Sequence, residues 1–494
     1  YGHIASGYNL ANDGLSVTYY IKDNATFSNG DSITSSDVLF SYNALISEVA
    51  HPQYRIYWAD IKSVKILDEK SIKFIFKRKN PELHMIIGDI PIFSRKWLEG
   101  KEFDQTILEK PIASGPYIID SFEPGRYITY KRNQNYWAIE EPTRVGMYNF
   151  DYIKFKYYKD MTVGLEAFKA GEYDYIFENH SKRWARDYSG PNFVNGSIKK
   201  LQLKHDNNAG IQGFIFNTRK EIFQNKKVRE AITYAFDFKW SNQNLFYNQY
   251  QRCTSFFSNS ELSANIKPSD NERKLAKKLS IPEKKVVNKN LSFINESSDI
   301  RENLKKAKNI FDELGWKVRK NVLHDDNDNP VEFDFLLAQK GFERILAPFA
   351  KNLSKLGIKL NYRTIDVSLY QRRVDTFDFD MMVMSYPQKQ SPGNELFAMF
   401  HSSSSDKKGS YNVGGIKNKS VDKLIDKIVF SSSRSEMITA SHLLDRLLWN
   451  EFYLLPNWYI NQHRIAYFDK FLFPRKLPRY YQPTDYILKT WSLK

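Results

Sequence analysis

The chain has a single cysteine, Cys253, among its 494 residues. One thiol excludes an internal disulfide and argues against a zinc–thiolate cluster. Long apolar runs are also absent, because no stretch approaches the roughly 20 residues that a membrane-spanning helix needs. The nine histidines are isolated from one another, with no H-x-x-x-H or H-E-x-x-H spacing. These absences predict a protein without a metal site or a membrane-spanning segment.

Motifs of the common catalytic sites are missing as well. Neither G-x-S-x-G nor S-x-x-K occurs in a strand–turn–helix context, and the chain has no Walker loop and no G-x-G-x-x-G. Asp378 and Asp380 share one face of a predicted strand, a pattern more typical of a solvated strand end than of a general acid–base pair. We therefore expect no catalytic residues, no cofactor and no enzymatic activity.

What the chain does have is length, apolar content and positive charge. Its 494 residues, of which 41% are hydrophobic, predict two or three packed domains. The net charge is +16, but Lys and Arg are scattered among acidic residues, which argues against a nucleic-acid partner. We hypothesise that the positive surface favours acidic ligands or an anionic membrane face.

The hydrophobic periodicity predicts alternating strands and helices along the chain. Residues 1–140 are predicted to form a subdomain attached to a first lobe, which itself comprises 141–249 and 456–494. Residues 250–455 are predicted to form a second lobe. In it, a strand over 331–337, a helix over 342–356 and a strand over 358–363 predict parallel pairing with a right-handed crossover. A polar segment at 265–300, rich in Lys and Asn, is expected to be mobile.

An ordered set of motifs carries the strongest functional signal. The stretch IKDNATFSNGDSITSSDVLFSYNAL at 21–45 predicts a strand, a glycine turn, and a helix capped by Thr34 and Asp37. Further along come ASGPY at 113–117, FEPGR at 122–126, KRNQNYW at 131–137, FKAGEYD at 168–174 and KVREAITYAFD at 227–237. Each motif is weak alone, but the ordered set resembles the family 5 extracellular solute-binding proteins that serve ABC importers.

Four shorter segments narrow the resemblance. They are NLFY at 244–247, SFFSNSEL at 255–262, DFD at 378–380 and SPGNE at 391–395. These segments are similar to the YejA-type branch of the family, whose members bind peptides and peptide conjugates.

The resemblance implies an α/β, bilobal periplasmic-binding-protein-like fold of class II and the large cluster C type, with two lobes of mixed sheet and helices, a hinge and an interlobe cleft. It implies capture of peptides or modified peptides, muropeptides included, and delivery to an ABC permease in the inner membrane. A periplasmic monomer is expected, although the chain shows no signal peptide. About 80–100 residues of the family pattern precede the point where the resemblance begins, and we expect them to be absent here. The alternatives are a hydrolase on a bilobal scaffold, a truncated relative acting as a scaffold, and a receptor for nickel or a metal chelate.

Ligand contacts are expected in loops near the junction of the lobes. The first candidate loop follows the predicted strand 377–384 and contains Tyr386, Lys389, Ser391, Asn394 and Glu395. The resemblance implies an aspartate in this loop that anchors the amino terminus of a peptide, and Glu395 is the nearest acid in this chain. The second loop contains Arg252, Ser255 and Phe256, and a third contains Asn207. Trp184 is a candidate for stacking and Arg372 for pairing with a carboxylate or phosphate; their alternatives are a core position and a solvated helix face.

Overall fold

The computed structural model describes residues 2–80, 82–105, 108–292 and 299–494. Contacts divide the chain into two compact units: unit 1 comprises Tyr1–His205 with Gln462–Lys494, and unit 2 comprises Asp206–Asn461. This division differs from the predicted lobes, because 206–249 belongs to unit 2 and 1–140 is not separated from 141–205. The physical reason is strand pairing, since the strand Ile211–Phe216 has a partner strand of unit 2 on each side.

The first part of unit 1 contains the strands β1 (Ala5–Leu10), β2 (Ser16–Ile21), β3 (Ile61–Asp68), β4 (Ser71–Phe76), β5 (Tyr117–Glu123), β6 (Tyr127–Arg132), β7 (Tyr152–Lys156), β8 (Tyr175–Phe177) and β9 (Ile198–Lys204). Its helices are α1 (Ser35–Ile46), α2 (Pro52–Tyr57), α3 (Leu83–Gly88), α4 (Arg95–Leu98), α5 (Met161–Lys169), α6 (Ser181–Arg186) and α7 (Pro191–Val194). The predicted strand, turn and capped helix are confirmed: α1 follows β2, and Asp37 Oδ2 accepts a hydrogen bond from the backbone N–H of Thr34 at 3.0 Å.

Unit 2 contains the strands β10 (Ile211–Phe216), β11 (Gln251–Arg252), β12 (Lys317–Arg319), β13 (Val322–His324), β14 (Glu332–Leu337), β15 (Lys359–Thr364), β16 (Met381–Tyr386), β17 (Leu454–Pro456) and β18 (Trp458–Tyr459). Its helices are α8 (Lys226–Tyr234), α9 (Phe238–Asn244), α10 (Asp270–Lys278), α11 (Ile300–Glu313), α12 (Glu343–Ser354), α13 (Val367–Asp375), α14 (Glu395–Phe400), α15 (Lys419–Val429) and α16 (Arg434–Asn450).

A five-stranded mixed sheet organises unit 2, in the order β15-β14-β16-β10-β17. The predicted parallel pairing is confirmed, because β14 and β15 are paired in parallel and helix α12 connects them in the sequence. The core of the unit packs on this sheet. Phe214, at the middle of β10, is fully buried, and its ring lies 5.0 Å from that of Phe335 and 5.6 Å from that of Phe236.

The described part of the polar segment, 265–292, is packed against α16 and is not the mobile insertion that its composition predicts. Arg446 of α16 is completely buried and donates from Nε to Glu272 Oε2 at 2.8 Å and from Nη2 to the carbonyl of Asn265 at 2.9 Å. Lys289 is also buried and forms an ion pair with Asp445 at 2.8 Å. Two buried ion pairs therefore hold 265–292 against α16. Residues 293–298 of the predicted segment lie outside the described residues.

The chain then returns to unit 1 with β19 (Gln462–Phe468), β20 (Phe471–Leu472), α17 (Pro483–Thr490) and β21 (Ser492–Leu493). Strand β19 lies between β8 and β9 and completes their sheet. Fully buried Ile465 and Trp491 anchor this returning segment in the core of unit 1. None of the helices in the described part of the chain has the length and apolar character needed to span a bilayer.

Candidate functional site

Sheet topology identifies one edge of unit 2 as the place where loops can form a crevice. After β14 the chain moves to β15 on one side, and after β15 it moves to β16 on the other side of β14. The connection that leaves β14 and the connection that leads to β16 therefore run in opposite directions along the sheet. This reversal lies next to the carboxyl ends of β14 and β16. In open α/β sheets, ligands bind outside the strand ends at such a switch point. The first predicted loop, 386–395, leaves β16 at this edge.

The three predicted loops come together here. Asn208 donates from its side-chain amide to the carbonyl of Lys389 at 3.2 Å. Asn259 donates in the same way to the carbonyl of Asn207 at 2.9 Å. These two bonds join the loop after β16, the turn before β10 and the loop after β11. The bonded residues are 181 and 52 positions apart in the sequence, yet they lie together in one cluster. We call this cluster the sheet-edge site.

Gly210 makes this convergence possible. Its φ of +59° lies in the left-handed region, and a Cβ atom built on it would lie 2.1 Å from the carbonyl oxygen of Tyr386. Only glycine allows two backbones to approach so closely in that conformation. A bridge between Gly210 and Ser258 attaches the second loop to the same point.

Tyr386 and Asn394 shape the loop after β16 rather than presenting side chains on its surface. Both are 2% exposed, and the Tyr386 ring lies edge-on to Phe400 with centroids 4.9 Å apart. Burial also raises the pKa of the Tyr386 phenol, so it stays protonated. Lys389 and Ser391, in contrast, are exposed. Of the predicted contact residues in this loop, these two are the ones whose side chains reach the surface.

Two buried acceptor atoms in this loop have no donor among the residues that the structure describes. Gln388 is 7% exposed and its Oε1 atom has no hydrogen-bond partner. The same holds for Glu395 Oε2, while Glu395 Oε1 accepts from the backbone N–H of Gly393 at 3.1 Å. Buried oxygens of this kind are rare in native proteins and call for a donor.

The predicted contact residues of the second loop, which begins at the end of β11, pack toward the core. The Arg252 guanidinium lies 5.3 Å from the Phe236 ring centroid and 5.4 Å from that of Phe238, and burial lowers the pKa of Arg252 to about 10. Ser255 and Phe256 are buried at the buried carboxylate of Asp445 instead, which accepts from Ser255 Oγ at 2.9 Å and from the Phe256 backbone N–H at 2.7 Å. Their place in the core differs from the predicted ligand contact.

Trp184 and Arg372 are not part of the sheet-edge site. Trp184 belongs to unit 1, where it is 6% exposed in a core cluster and Lys200 Nζ lies 4.5 Å from its ring centroid. Arg372 is exposed on α13, the helix that precedes β16. Among the described residues no hydrogen bond joins its side chain to the three loops. The core position and the solvated helix face, named as alternatives, describe these two residues best.

Sequence reasoning missed three polar residues at the same edge. Gln212 donates from Nε2 to Ser385 Oγ at 3.3 Å, and Asn457 donates from Nδ2 to Gln212 Oε1 at 3.5 Å. Asn457 is fully buried, yet its Oδ1 atom has no hydrogen-bond partner in the described part of the chain. The residues are far apart in the chain and become neighbours only through the pairing of β10 with β16 and β17. No motif could have signalled them.

Within the described residues, no group of three or more His, Cys, Asp or Glu side chains is placed to hold a metal ion. The arrangement at the sheet edge instead combines exposed backbone and side-chain polar groups, aromatic rings and unpaired acceptors. Such a lining suits a ligand with amide groups and apolar parts.

Comparison with known proteins identifies the family to which the chain belongs. The profile of the bacterial extracellular solute-binding proteins, family 5 Middle, matches residues 1–408. The chain is similar to a probable peptide-binding protein YejA of Agrobacterium fabrum, with 34% identity over 97% of this chain and 80% of the relative. It is also similar to the peptidoglycan-binding protein YepA of the same organism, with 29% identity over 94% of this chain and 78% of that relative.

Among solved structures, the oligopeptide-binding protein AppA of Bacillus subtilis, in complex with a nonapeptide, superposes with a TM-score of 0.77 at 20% identity. The match covers 100% of this chain and 90% of that one. The predicted α/β fold class with two lobes is thereby confirmed. With the profile matching most of its length, the chain belongs to the family 5 bacterial extracellular solute-binding proteins.

Proposed function

We propose that this chain binds peptides or modified peptides at the sheet-edge site and delivers them to an ABC permease. Three buried acceptors at that edge, on Gln388, Glu395 and Asn457, carry the proposal because they lack the donors that a peptide offers. Names of relatives support the ligand class: one is described as peptide-binding, another as peptidoglycan-binding, and the solved neighbour holds a nonapeptide. Muropeptides, the peptide-bearing fragments of peptidoglycan, therefore fall within the proposed class.

Each part of the site has a role in this proposal. Glu395 and Gln388 receive the ammonium group of the ligand, because a carboxylate and an amide oxygen together satisfy several N–H donors. Lys389 and Ser391 contact carboxylate and carbonyl groups further along the ligand. Arg252, held beside the rings of Phe236 and Phe238, supports the loop that follows it. The protein works as a periplasmic monomer and leaves the ligand chemically unchanged.

A thermal-shift assay tests the proposal. Free di- to hexapeptides, muropeptides and a nickel chelate would be titrated against the chain, with the same peptides acetylated at the amino terminus as matched controls. A ligand at 100 times its dissociation constant stabilises a receptor by about 2.7 kcal/mol. We expect free peptides to raise the melting temperature more than their acetylated forms. No response to any peptide, or a response to the chelate alone, would overturn the proposed ligand class, and cleavage of a bound peptide seen by mass spectrometry would overturn the absence of catalysis.

A further inference from the structure

Unit 1 carries an exposed segment that runs from the end of β20 toward α17 and is not part of the sheet-edge site. We call residues 472–480 the basic–aromatic loop. Three large apolar side chains project from it: Leu472 is 56% exposed, Phe473 39% and Tyr480 49%. Partial exposure of three such side chains within nine residues is unusual, because isolated exposed apolar residues are the norm.

The same loop is strongly basic. Arg475, Lys476 and Arg479 are exposed, and no acidic residue occurs between Asp469 and Asp485. Within the described part of the chain, neither Arg475 nor Lys476 forms an ion pair. Positive charge and apolar surface thus coincide on one short segment.

Packing at its base fixes this loop in place. Leu477 packs against the core of unit 1, and the Phe473 ring stacks on Trp491 with centroids 4.6 Å apart. The next residue, Tyr481, donates its hydroxyl to the carbonyl of Lys204 at 2.9 Å. Pro474 and Pro478 lack backbone N–H groups and resist pairing as a strand. The exposed side chains are therefore displayed by an ordered scaffold.

We propose that the basic–aromatic loop docks the protein on an anionic phospholipid bilayer. Basic side chains are attracted to the negative surface potential of such a membrane, and the effect falls off within a Debye length. Aromatic side chains settle at the boundary between headgroups and acyl chains. An acidic protein partner would explain the basic residues but would also need hollows matched to three apolar tips, whereas a bilayer interface accepts them without a fixed register.

Vesicle co-sedimentation of the full chain tests this proposal. Vesicles of phosphatidylcholine mixed with phosphatidylglycerol would be compared with vesicles of phosphatidylcholine alone, at low and high salt. The variant Arg475→Gln/Lys476→Gln removes two charges from the loop. The matched control, Lys317→Gln/Arg319→Gln, removes two charges from the exposed β12–β13 hairpin of unit 2. Each basic side chain near an anionic surface contributes about a five-fold factor, so we expect about 25-fold weaker partitioning for the loop variant.

We expect the wild type and the hairpin control to bind the anionic vesicles equally and to dissociate at high salt. Leu472→Ser/Tyr480→Ser is expected to weaken binding while leaving the charge intact. Equal losses in the loop and hairpin variants would mean that net charge alone acts, and would overturn the assignment. So would absence of vesicle binding by the wild type at low salt, or binding to heparin without binding to vesicles.

Discussion

His205 and His463 stack on one another with ring centroids 4.1 Å apart and an interplanar angle of 30°. His205 is the last residue of unit 1 before the chain enters unit 2, and His463 is the second residue after it returns. Pairing of Gln462 with Lys204 in the β9–β19 ladder places these two segments side by side. An imidazole pair therefore marks the point at which both connections leave unit 1.

This pair predicts a pH-dependent stability. Burial, and next the neighbouring His205, lower the pKa of His463 from 6.5 to about 4. The other groups against its ring are Tyr481, whose carbonyl lies 3.1 Å from Nε2, and the ring of Phe177. Between pH 6.5 and about 4 the unfolded chain binds a proton that the folded chain excludes. Stability is therefore fully present above pH 6.5 and falls as the pH is lowered through this window.

Urea unfolding across this window measures the effect. The contribution of one histidine has a slope of at most about 1.4 kcal/mol per pH unit. We expect His463→Gln to flatten the pH dependence, because glutamine does not titrate. His324→Gln, at a partly exposed histidine of β13, is the matched control and should keep the wild-type slope. An unchanged slope in His463→Gln would refute the role given to this residue.

Gly210→Ala is expected to destabilise the protein by about 3 kcal/mol. The substitution adds left-handed strain of about 1–2 kcal/mol and drives a Cβ atom into the Tyr386 carbonyl. Gly125→Ala is the control, since Gly125 has a φ of +74° and nothing lies within 4 Å of its built Cβ. In denaturant unfolding, Gly125→Ala should lower the free energy of unfolding only by the left-handed strain of about 1–2 kcal/mol. Equal losses for both variants would show that the close approach at Gly210 does not constrain the loops.

Asp445→Asn is expected to cost about 3–5 kcal/mol of unfolding free energy, because it leaves the buried Lys289 ammonium without its counter-charge. The control Asp312→Asn breaks an exposed pair with Lys308 and should cost less than about 1 kcal/mol. Chemical denaturation measures both. If the two variants unfold alike, the network that holds 265–292 does not stabilise unit 2.

Glu395→Gln is expected to weaken the binding of peptides with a free amino terminus by about 10–100-fold, the range for a hydrogen bond to a charged group. The same change should hardly affect peptides acetylated at the amino terminus. Glu332→Gln removes an exposed carboxylate from β14 and serves as the control. Fluorescence or calorimetric titration would measure the affinities. Unchanged affinity for free peptides would remove Glu395 from the site.

Much of the fold could be predicted from the sequence because its signals are local. The capped helix at Thr34 and the parallel pair β14–β15 each follow from periodicity or turn residues. The lobe boundary was harder, because β10 looks like a strand of either unit until its partners are known. The burial of polar residues was difficult to predict for a related reason. Lys289 has the sequence context of a solvated charge and is buried only because Asp445 lies opposite.

The candidate site shows the same limit. Loop 386–395 could be proposed from its position after a strand, and Gly210 brings the other two loops to it. The buried position of Ser255 could not be predicted, since its hydrogen-bond partner Asp445 is 190 residues away. Asn457 and Gln212 carry no local signature, and they meet only in the assembled sheet. Contacts between distant segments decide which polar residues remain available to a ligand.

Isothermal titration calorimetry of free peptides into the wild-type chain tests the central claim most directly. The account predicts saturable binding of one peptide per chain, with a negative heat-capacity change from burial of apolar surface. It also predicts a clearly lower affinity for the same peptide acetylated at its amino terminus. Absence of saturable heat across peptides and muropeptides would contradict the account.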